Sequence, residues 1–263
     1  MRIAAGIEYC GSGFHGWQRQ KERRNVQECV ETALSYVADQ PITIHCAGRT
    51  DAGVHALQQV IHFDTFAKRE MHSWKLGGNV NLPRDVVINW AAQVDDDFHA
   101  RFSATGRIYR YVILNRNTRP AICNKLVTWE YQPLNEILMM KAAAALIGEH
   151  DFTSYRAQSC QAKSPIREVR KLDITRDGDL VIIEIEANAF LHHMVRNIAG
   201  VLMMVGMEKE GTDWARRVLD ARDRTAGGVT APPDGLYLVD VNYPVKYPLP
   251  KQVFKHWILR NQF

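Results

Sequence analysis

The chain has 263 residues, 46% of them hydrophobic and 24% charged, with a formal net charge of +4 and a pI of about 8.8. That is room for one large or two small domains, and the composition excludes a disordered or fibrous chain. No apolar run approaches the roughly 20 residues of a membrane span. The start of the chain turns acidic and aromatic too soon for a secretion signal. The scattered cysteines Cys10, Cys29, Cys46, Cys123 and Cys160 form no C-x-x-C pair, so they offer neither a zinc ribbon nor a disulfide framework. A soluble, cytoplasmic protein with free thiols is expected.

In chain order, residues 3–9 read as a buried strand. Gly11-Ser12-Gly13-Phe14-His15-Gly16 then makes a literal G-x-G-x-x-G, the pattern that lets backbone approach a pyrophosphate in dinucleotide-binding folds. The helix that should follow lacks an apolar stripe over residues 17–24. No acidic residue ends the next strand to hold a ribose. A polar loop carrying Trp17 and Arg19 is the better reading, and no nucleotide cofactor is expected. Val26, Cys29, Val30, Ala33, Leu34 and Val37 then repeat with helical spacing. Asn25 is placed to cap that helix, Glu28 to answer it, and Pro41 to stop it. Ile42, Ile44 and Cys46 alternate as a strand, a loop follows, and residues 60–63 form another strand.

A boundary near Asp95-Asp96-Asp97 divides the chain into residues 1–97 and 98–263. The second part begins with a strand over residues 107–114 and an Ala-rich helix over 134–147 closed by Gly148. Residues 169–175 and 180–187 form a hairpin across Asp177-Gly178. A long apolar helix over 190–207, a Gly/Pro loop over 227–233 and a last strand over 236–241 complete it. Interspersed helices and strands with a hairpin indicate an α+β fold built on a largely antiparallel sheet. The similar layout of the two halves suggests a duplicated unit.

The chemistry concentrates in Ala47-Gly48-Arg49-Thr50-Asp51-Ala52-Gly53-Val54-His55-Ala56. Asp51 between two glycines suits a turn, but a turn does not explain Arg49 and His55 beside it. His45, Asp51, His55 and His62 are conceivable metal ligands. They lack an H-x-x-x-H helix and a second carboxylate to close a coordination set, so no metal is expected. Residues 98–111 interleave basic and aromatic side chains, and Arg116, Arg119, Arg156, Lys163, Arg167, Arg170 and Lys171 extend the basicity. A solvated basic strand is one reading. A surface that meets phosphates and stacks on bases is the other, and it favours an RNA or DNA partner. Arg196, inside an apolar helix, either snorkels outward or points inward and needs a carboxylate. Asp51 is a candidate partner, and such a pair would keep the aspartate ionised.

Gly48-Arg49-Thr50-Asp51-Ala52-Gly53-Val54-His55 closely resembles the signature of the TruA-type tRNA pseudouridine synthases. So do Tyr9-x-Gly11 with Gly16-Trp17-Gln18-Arg19-Gln20, the run from Asp97 to Ala104, Arg107-x-Tyr109-x-Tyr111, Asp151-Phe152-Thr153-Ser154 and His193-Met194-Val195-Arg196-Asn197, all in family order. The resemblance spans nearly the whole chain. It implies the pseudouridine synthase fold: two mixed α/β halves sharing a curved, mostly antiparallel sheet, with helices on one face and a basic cleft between the halves. It implies conversion of uridine to pseudouridine at positions 38, 39 and 40 of the tRNA anticodon stem-loop. No cofactor is implied, because the reaction has no net redox change and transfers no group between molecules.

By the same resemblance Asp51 is the catalytic residue, acting as nucleophile on the sugar or base or as the base that starts an elimination. Arg196 pairs with it. Tyr109 stacks on the uracil and is a candidate acceptor of its C5 proton. Arg49 fills the space left by the flipped nucleotide, which costs a few kcal/mol to unstack. Phe98, His99, Ala100, Arg101 and Phe102, and Ser159, Cys160, Gln161, Ala162 and Lys163, contact the tRNA. Leu236 lines the uracil pocket. A homodimer that jointly holds one tRNA is implied. The tail after Pro250, with Phe254, Trp257, Ile258 and Phe263, carries no family motif and is expected to serve the dimer or another contact. The alternative reading is a tRNA-binding or RNA-folding protein without catalysis.

Overall fold

A computed structural model describes residues 1–251. The tail bearing Phe254, Trp257, Ile258 and Phe263, and the contact expected of it, lie outside the described residues. The chain forms two compact units, Met1–Thr105 together with the chain from Tyr237 on, and Gly106–Leu236.

The first unit contains β1 (Arg2–Tyr9), α1 (Val26–Ala38), β2 (His45–Cys46), β3 (His55–Asp64), α2 (Met71–Asn81), β4 (Val86–Val94) and, from Tyr237, the strand Leu236–Asn242. β1 pairs antiparallel with both β3 and β4. The returning strand joins β3 in parallel, with Tyr237 opposite His55. β1 is therefore an inner strand, and its residues 3–7 are buried on both faces, which is why they read as a continuous apolar run.

Asn25 caps α1 as its sequence predicts. Its side chain accepts from the Glu28 amide at 2.9 Å and donates to the Glu28 carboxylate at 3.0 Å. The helix stops before Pro41, however, at Asp39, which takes a left-handed conformation with φ 53°. The expected strand over Ile42, Ile44 and Cys46 shrinks to the two residues of β2. Ser35 Oγ accepts the Ile42 amide at 2.8 Å and Glu31 Oε1 accepts the Ile44 amide at 3.1 Å. Side chains of α1 thus take the hydrogen bonds that a neighbouring strand would have supplied. α2 and β4 were not legible, because the glycines Gly77 and Gly78 thin the apolar stripe of α2 even though Trp74 is fully buried.

The division read at residue 97 falls inside this first unit. Phe98 is fully buried, with its ring 5.1 Å from those of Tyr243 and Tyr247, and its carbonyl accepts from Arg2 at 2.9 Å. Residues 98–105 stay with β1 for that reason, and the chain after 236 comes back to them.

The second unit contains β5 (Gly106–Asn115), β6 (Thr128–Glu130), α3 (Glu136–Ala143), β7 (Gly148–Asp151), β8 (Ile166–Asp177), β9 (Leu180–Ala187), α4 (Met194–Gly206) and α5 (Trp214–Ala221); the Leu236–Asn242 strand is β10. β5, β9, β8 and β7 pair antiparallel in that order, and β6 adds to β5 in parallel. The hairpin forms as expected, with Asp177 opposite Leu180. Gly148 does not cap the Ala-rich helix. That helix ends at Ala143, a 3-10 turn follows, and Gly148 opens β7. α4 begins at Met194 rather than near residue 190. His193 is left-handed (φ 62°), and the His192 carbonyl accepts from Ala157 at 2.9 Å instead of continuing a helix. Each unit is thus a mixture of helices with a mostly antiparallel sheet, the α+β class expected from the sequence. Among the described residues no helix is long and apolar enough to cross a membrane.

Candidate active site

In the first unit, residues 47–54 form the loop that leads into β3, and the glycine-rich segment after β1 is its bed. A side chain at Gly11 would drive its Cβ into the Val54 carbonyl oxygen. One at Gly16, where φ is 89°, would lie 2.7 Å from the Thr50 oxygen and 3.1 Å from the Asp51 carbonyl carbon. Trp17 donates its amide to the Thr50 carbonyl at 3.0 Å, and Gly53 donates to Phe14 at 3.3 Å. The close backbone approach that a dinucleotide fold offers to pyrophosphate is occupied here by peptide. Trp17 is buried, its ring 5.8 Å from Tyr9, and so departs from the polar loop expected of it. Arg19 is taken by the buried Glu31 at 2.6 Å.

Within this bed the loop residues diverge. Thr50 points inward, its hydroxyl 2.7 Å from Tyr9 Oη, both residues buried. Asp51 is half-buried at the rim and Arg49 is exposed. The loop ends are pinned as well. Buried Gln59 accepts the Gly48 amide at 3.3 Å and donates to the Gly48 carbonyl. His55 is buried, accepts the Gly11 amide on Nδ1 at 3.0 Å, and stacks on Tyr237 with ring centroids 4.6 Å apart. His55 also hydrogen-bonds Cys10, and with Ser12 this brings the Cys10 thiol down to about 7. His55 and His62 both spend Nδ1 on backbone amides.

The turn at residues 98–102 presents Arg101 and Phe102 to solvent, with Phe102 76% exposed and the Arg101 guanidinium 5.5 Å from its ring centroid. Phe98 and Ala100 are buried and His99 is half-buried, so of these five predicted RNA contacts only the last two project fully. Burial pushes the Cys46 thiol up to about 11, and the guanidinium charges of Arg49 and Arg101 both act against that rise. Both arginines are therefore close enough to Cys46 to act on it.

In the second unit Tyr109 and Tyr111 point to one side of β5, two residues apart. Tyr109 is 8% exposed and meets Phe190 edge-on, with ring centroids 5.1 Å apart. Tyr111 Oη lies 2.6 Å from Thr128 Oγ1 and donates to the Pro232 carbonyl at 2.8 Å. Burial holds its hydroxyl well above the usual phenol range, and the Arg196 charge opposes this. Arg196 is half-buried on α4, and its Nε donates to the Ala231 carbonyl at 2.8 Å while the Ala231 amide returns to the Arg196 carbonyl at 3.1 Å. Leu236 is buried. Ser159, Gln161 and Lys163 are exposed, and Cys160 and Ala162 half-buried, on a segment tied to His192 through Ser159 Oγ at 3.3 Å and the Ala157 amide.

Arg224 carries no local sequence signal, yet it organises a loop. It donates to the carbonyls of Gly227 and Gly228, to Asn197 Oδ1 at 3.1 Å and to Thr230 Oγ1 at 2.9 Å. It thereby closes the loop whose Ala231 holds Arg196. Arg224→Ala is expected to lower stability by about 2 kcal/mol, read as a melting midpoint several degrees lower. Gln59 was also missed. Its signal was available as the polar pair Gln58-Gln59 inside an apolar strand, since a buried amide implies a partner.

The family described as tRNA pseudouridine synthase matches residues 5–103 and 142–244. A tRNA pseudouridine synthase A of Nitrosococcus oceani is 60% identical over 251 residues, 95% of this chain and 97% of that protein. One from Escherichia coli O1:K1 / APEC is 55% identical over 250 residues, covering 95% of this chain and 93% of its own. One from Coxiella burnetii is 54% identical, covering 95% and 96%.

Proposed function

The chain belongs to the tRNA pseudouridine synthase family, and from that premise we propose that Asp51 is the group on which the family's reaction turns in this protein. The enzyme isomerises uridine to pseudouridine in tRNA. The bond from ribose C1′ to uracil N1 breaks, a bond from C1′ to C5 forms, the C5 proton leaves and N1 takes one up. Asp51 supplies the carboxylate, either as a nucleophile toward the sugar or the base, or as the base that removes a sugar proton. The observation that carries this reading is the seating of the Asp51 loop: two glycines whose Cβ positions are filled by loop backbone, with Thr50 turned inward and Asp51 left at the rim. Such a scaffold orients one carboxylate without side-chain freedom in the loop's bed.

The remaining roles follow from the family resemblance. Arg196 is the counter-ion of the aspartate. Tyr109 stacks on the uracil and is a candidate acceptor of the C5 proton. Arg49 fills the flipped nucleotide's place, and its exposure supports that role. Residues 98–102 and 159–163 contact tRNA, and Leu236 lines the uracil pocket. The substrate positions are uridines 38, 39 and 40 of the anticodon stem-loop, and the protein acts as a cytoplasmic homodimer.

Unmodified tRNA tritiated at uridine C5, incubated with the protein and no cofactor, should release tritium to water. Release is expected from tRNAs with uridine at those positions and from no transcript in which they are replaced by cytidine. Absence of release from every such tRNA would overturn the proposal and leave the non-catalytic RNA-binding reading.

A further inference from the structure

Three consecutive amides of the exposed turn end on imidazole nitrogens. The Ala100 amide donates to His62 Nδ1 at 3.1 Å, and the Arg101 and Phe102 amides donate to His99 Nδ1 at 3.1 and 3.3 Å. An amide N–H can only donate, so both ring nitrogens are unprotonated. The rest of the turn is equally fastened. His99 and Ser103 exchange hydrogen bonds at 2.9 Å, Phe98 donates to Asp95, and Tyr243 Oη donates to the Ala100 carbonyl at 2.6 Å. What this wiring holds outward is Phe102 and Arg101. A large ring kept in water beside a guanidinium is the arrangement on which a nucleobase stacks.

We propose that His99 is a positioning residue for RNA contact, its neutral imidazole holding the Arg101-Phe102 tip in place, and that acid releases the tip. This rests on the reading that residues 98–102 touch the tRNA. Protonated His99 would turn an N–H against two N–H groups and lose both acceptances. The groups around it set when this happens. On its own turn lie Arg101 and the Phe102 ring, 4.4 Å away. β2 contributes His45 at 5.3 Å and β3 contributes His62 at 4.5 Å. β1 contributes Arg2, which engages the Asp64 carboxylate of β3 at 2.8 Å. Tyr243, which packs on Phe98, lies beyond the turn, and Lys246 is paired with Asp97 at 2.9 Å. Burial, then His45 and Arg2, hold the His99 imidazole below its usual value, and burial with His99 and His45 brings His62 down to about 3. The neutral, tip-holding form is therefore complete above the ordinary imidazole range near 6.5 and is lost as pH falls below it, through the lowered His99 value.

The test uses His99→Asn and His99→Ala in an Asp51→Asn background, so that no turnover disturbs binding. An asparagine Oδ1 accepts amides two or three residues on and does not titrate. Affinity for an unmodified tRNA transcript is measured at pH 7.5 and 5.5, together with hydrogen exchange of the residue 100–102 amides and a thermal melt. The parent should lose affinity on acidification, by less than about tenfold at pH 5.5 because the His99 value lies below 6.5, and His99→Ala should be about tenfold weaker already at pH 7.5. His99→Asn should bind like the parent at pH 7.5 and lose clearly less in acid, with its Arg101 and Phe102 amides still protected. Equal acid losses in the parent and His99→Asn overturn the proposal, as does a folded His99→Ala that binds normally. Arg101→Ala and Phe102→Ala separate the two readings. If neither weakens tRNA binding, the RNA-contact reading fails and the proposal with it. If they weaken binding and His99→Ala does not, only the proposal fails.

Discussion

Asp51→Asn is expected to lower turnover by at least about a thousandfold while leaving tRNA affinity within about threefold of the parent. Asparagine matches aspartate in shape but neither attacks carbon as a carboxylate nor takes up a proton. The loop that carries the residue is held by backbone: Trp17 to Thr50, Gly53 to Phe14, Val54 to the Asp51 carbonyl at 3.2 Å, and Gln59 on both polar atoms of the Gly48 backbone. The substitution leaves every one of these in place. Exposed Arg49, Arg101 and Phe102, the groups proposed to meet RNA, are likewise unaltered. Tritium release in single turnover and filter binding of the same transcript measure the two quantities. A binding loss as large as the activity loss would make Asp51 a structural residue, and retained turnover would move the chemistry elsewhere.

Gly16→Ala is expected to cost roughly 2–4 kcal/mol of stability and about a hundredfold in kcat, measured below the melting transition. Two penalties combine. The φ of 89° at Gly16 is left-handed and strains any L side chain by about 1–2 kcal/mol. The added Cβ also meets the Thr50 oxygen at 2.7 Å, and that atom is backbone with no rotamer to yield. Relief therefore comes from moving the peptide that carries Asp51, and a displaced carboxylate is a poor catalyst. Gly178→Ala isolates the first penalty. Gly178 has φ 56° in the β8–β9 hairpin with nothing within 4 Å of its Cβ position, so it should lose about 1 kcal/mol and keep full turnover. Normal turnover in a folded Gly16→Ala would show that the loop yields without moving its carboxylate.

Much of the site was written locally. Asp51 stood out because a carboxylate, a cation and an imidazole share one short loop, and the run from Phe98 to Tyr111 stood out by interleaving basic and aromatic side chains. β1, α1 and the β8–β9 hairpin were legible from a continuous apolar run, capping chemistry and a turn dipeptide, all of which act within a few residues. The G-x-G-x-x-G was legible as a close approach of backbone, but not as an approach to Asp51 and its neighbours rather than to a phosphate. A glycine records that something comes near and not what comes near. Ile42 and Ile44 alternate like a strand because both side chains are buried, yet Glu31 and Ser35 of α1 take their amides. Periodicity reports which face is covered and is blind to the partner.

By itself, the order of residues determined the class of fold, the candidate catalytic loop and the basic-aromatic character of the segment from Phe98 to Tyr111, because these depend on neighbours along the chain. Tertiary structure alone decided that residues 98–105 stay with β1, that the chain returns to them at Tyr237, and that Trp17 is core. It also decided that His62 and His99 serve as acceptors under an exposed Arg-Phe tip. Each of these is a contact between residues distant in sequence, and its energy exists only once hydrophobic burial has brought the two segments together.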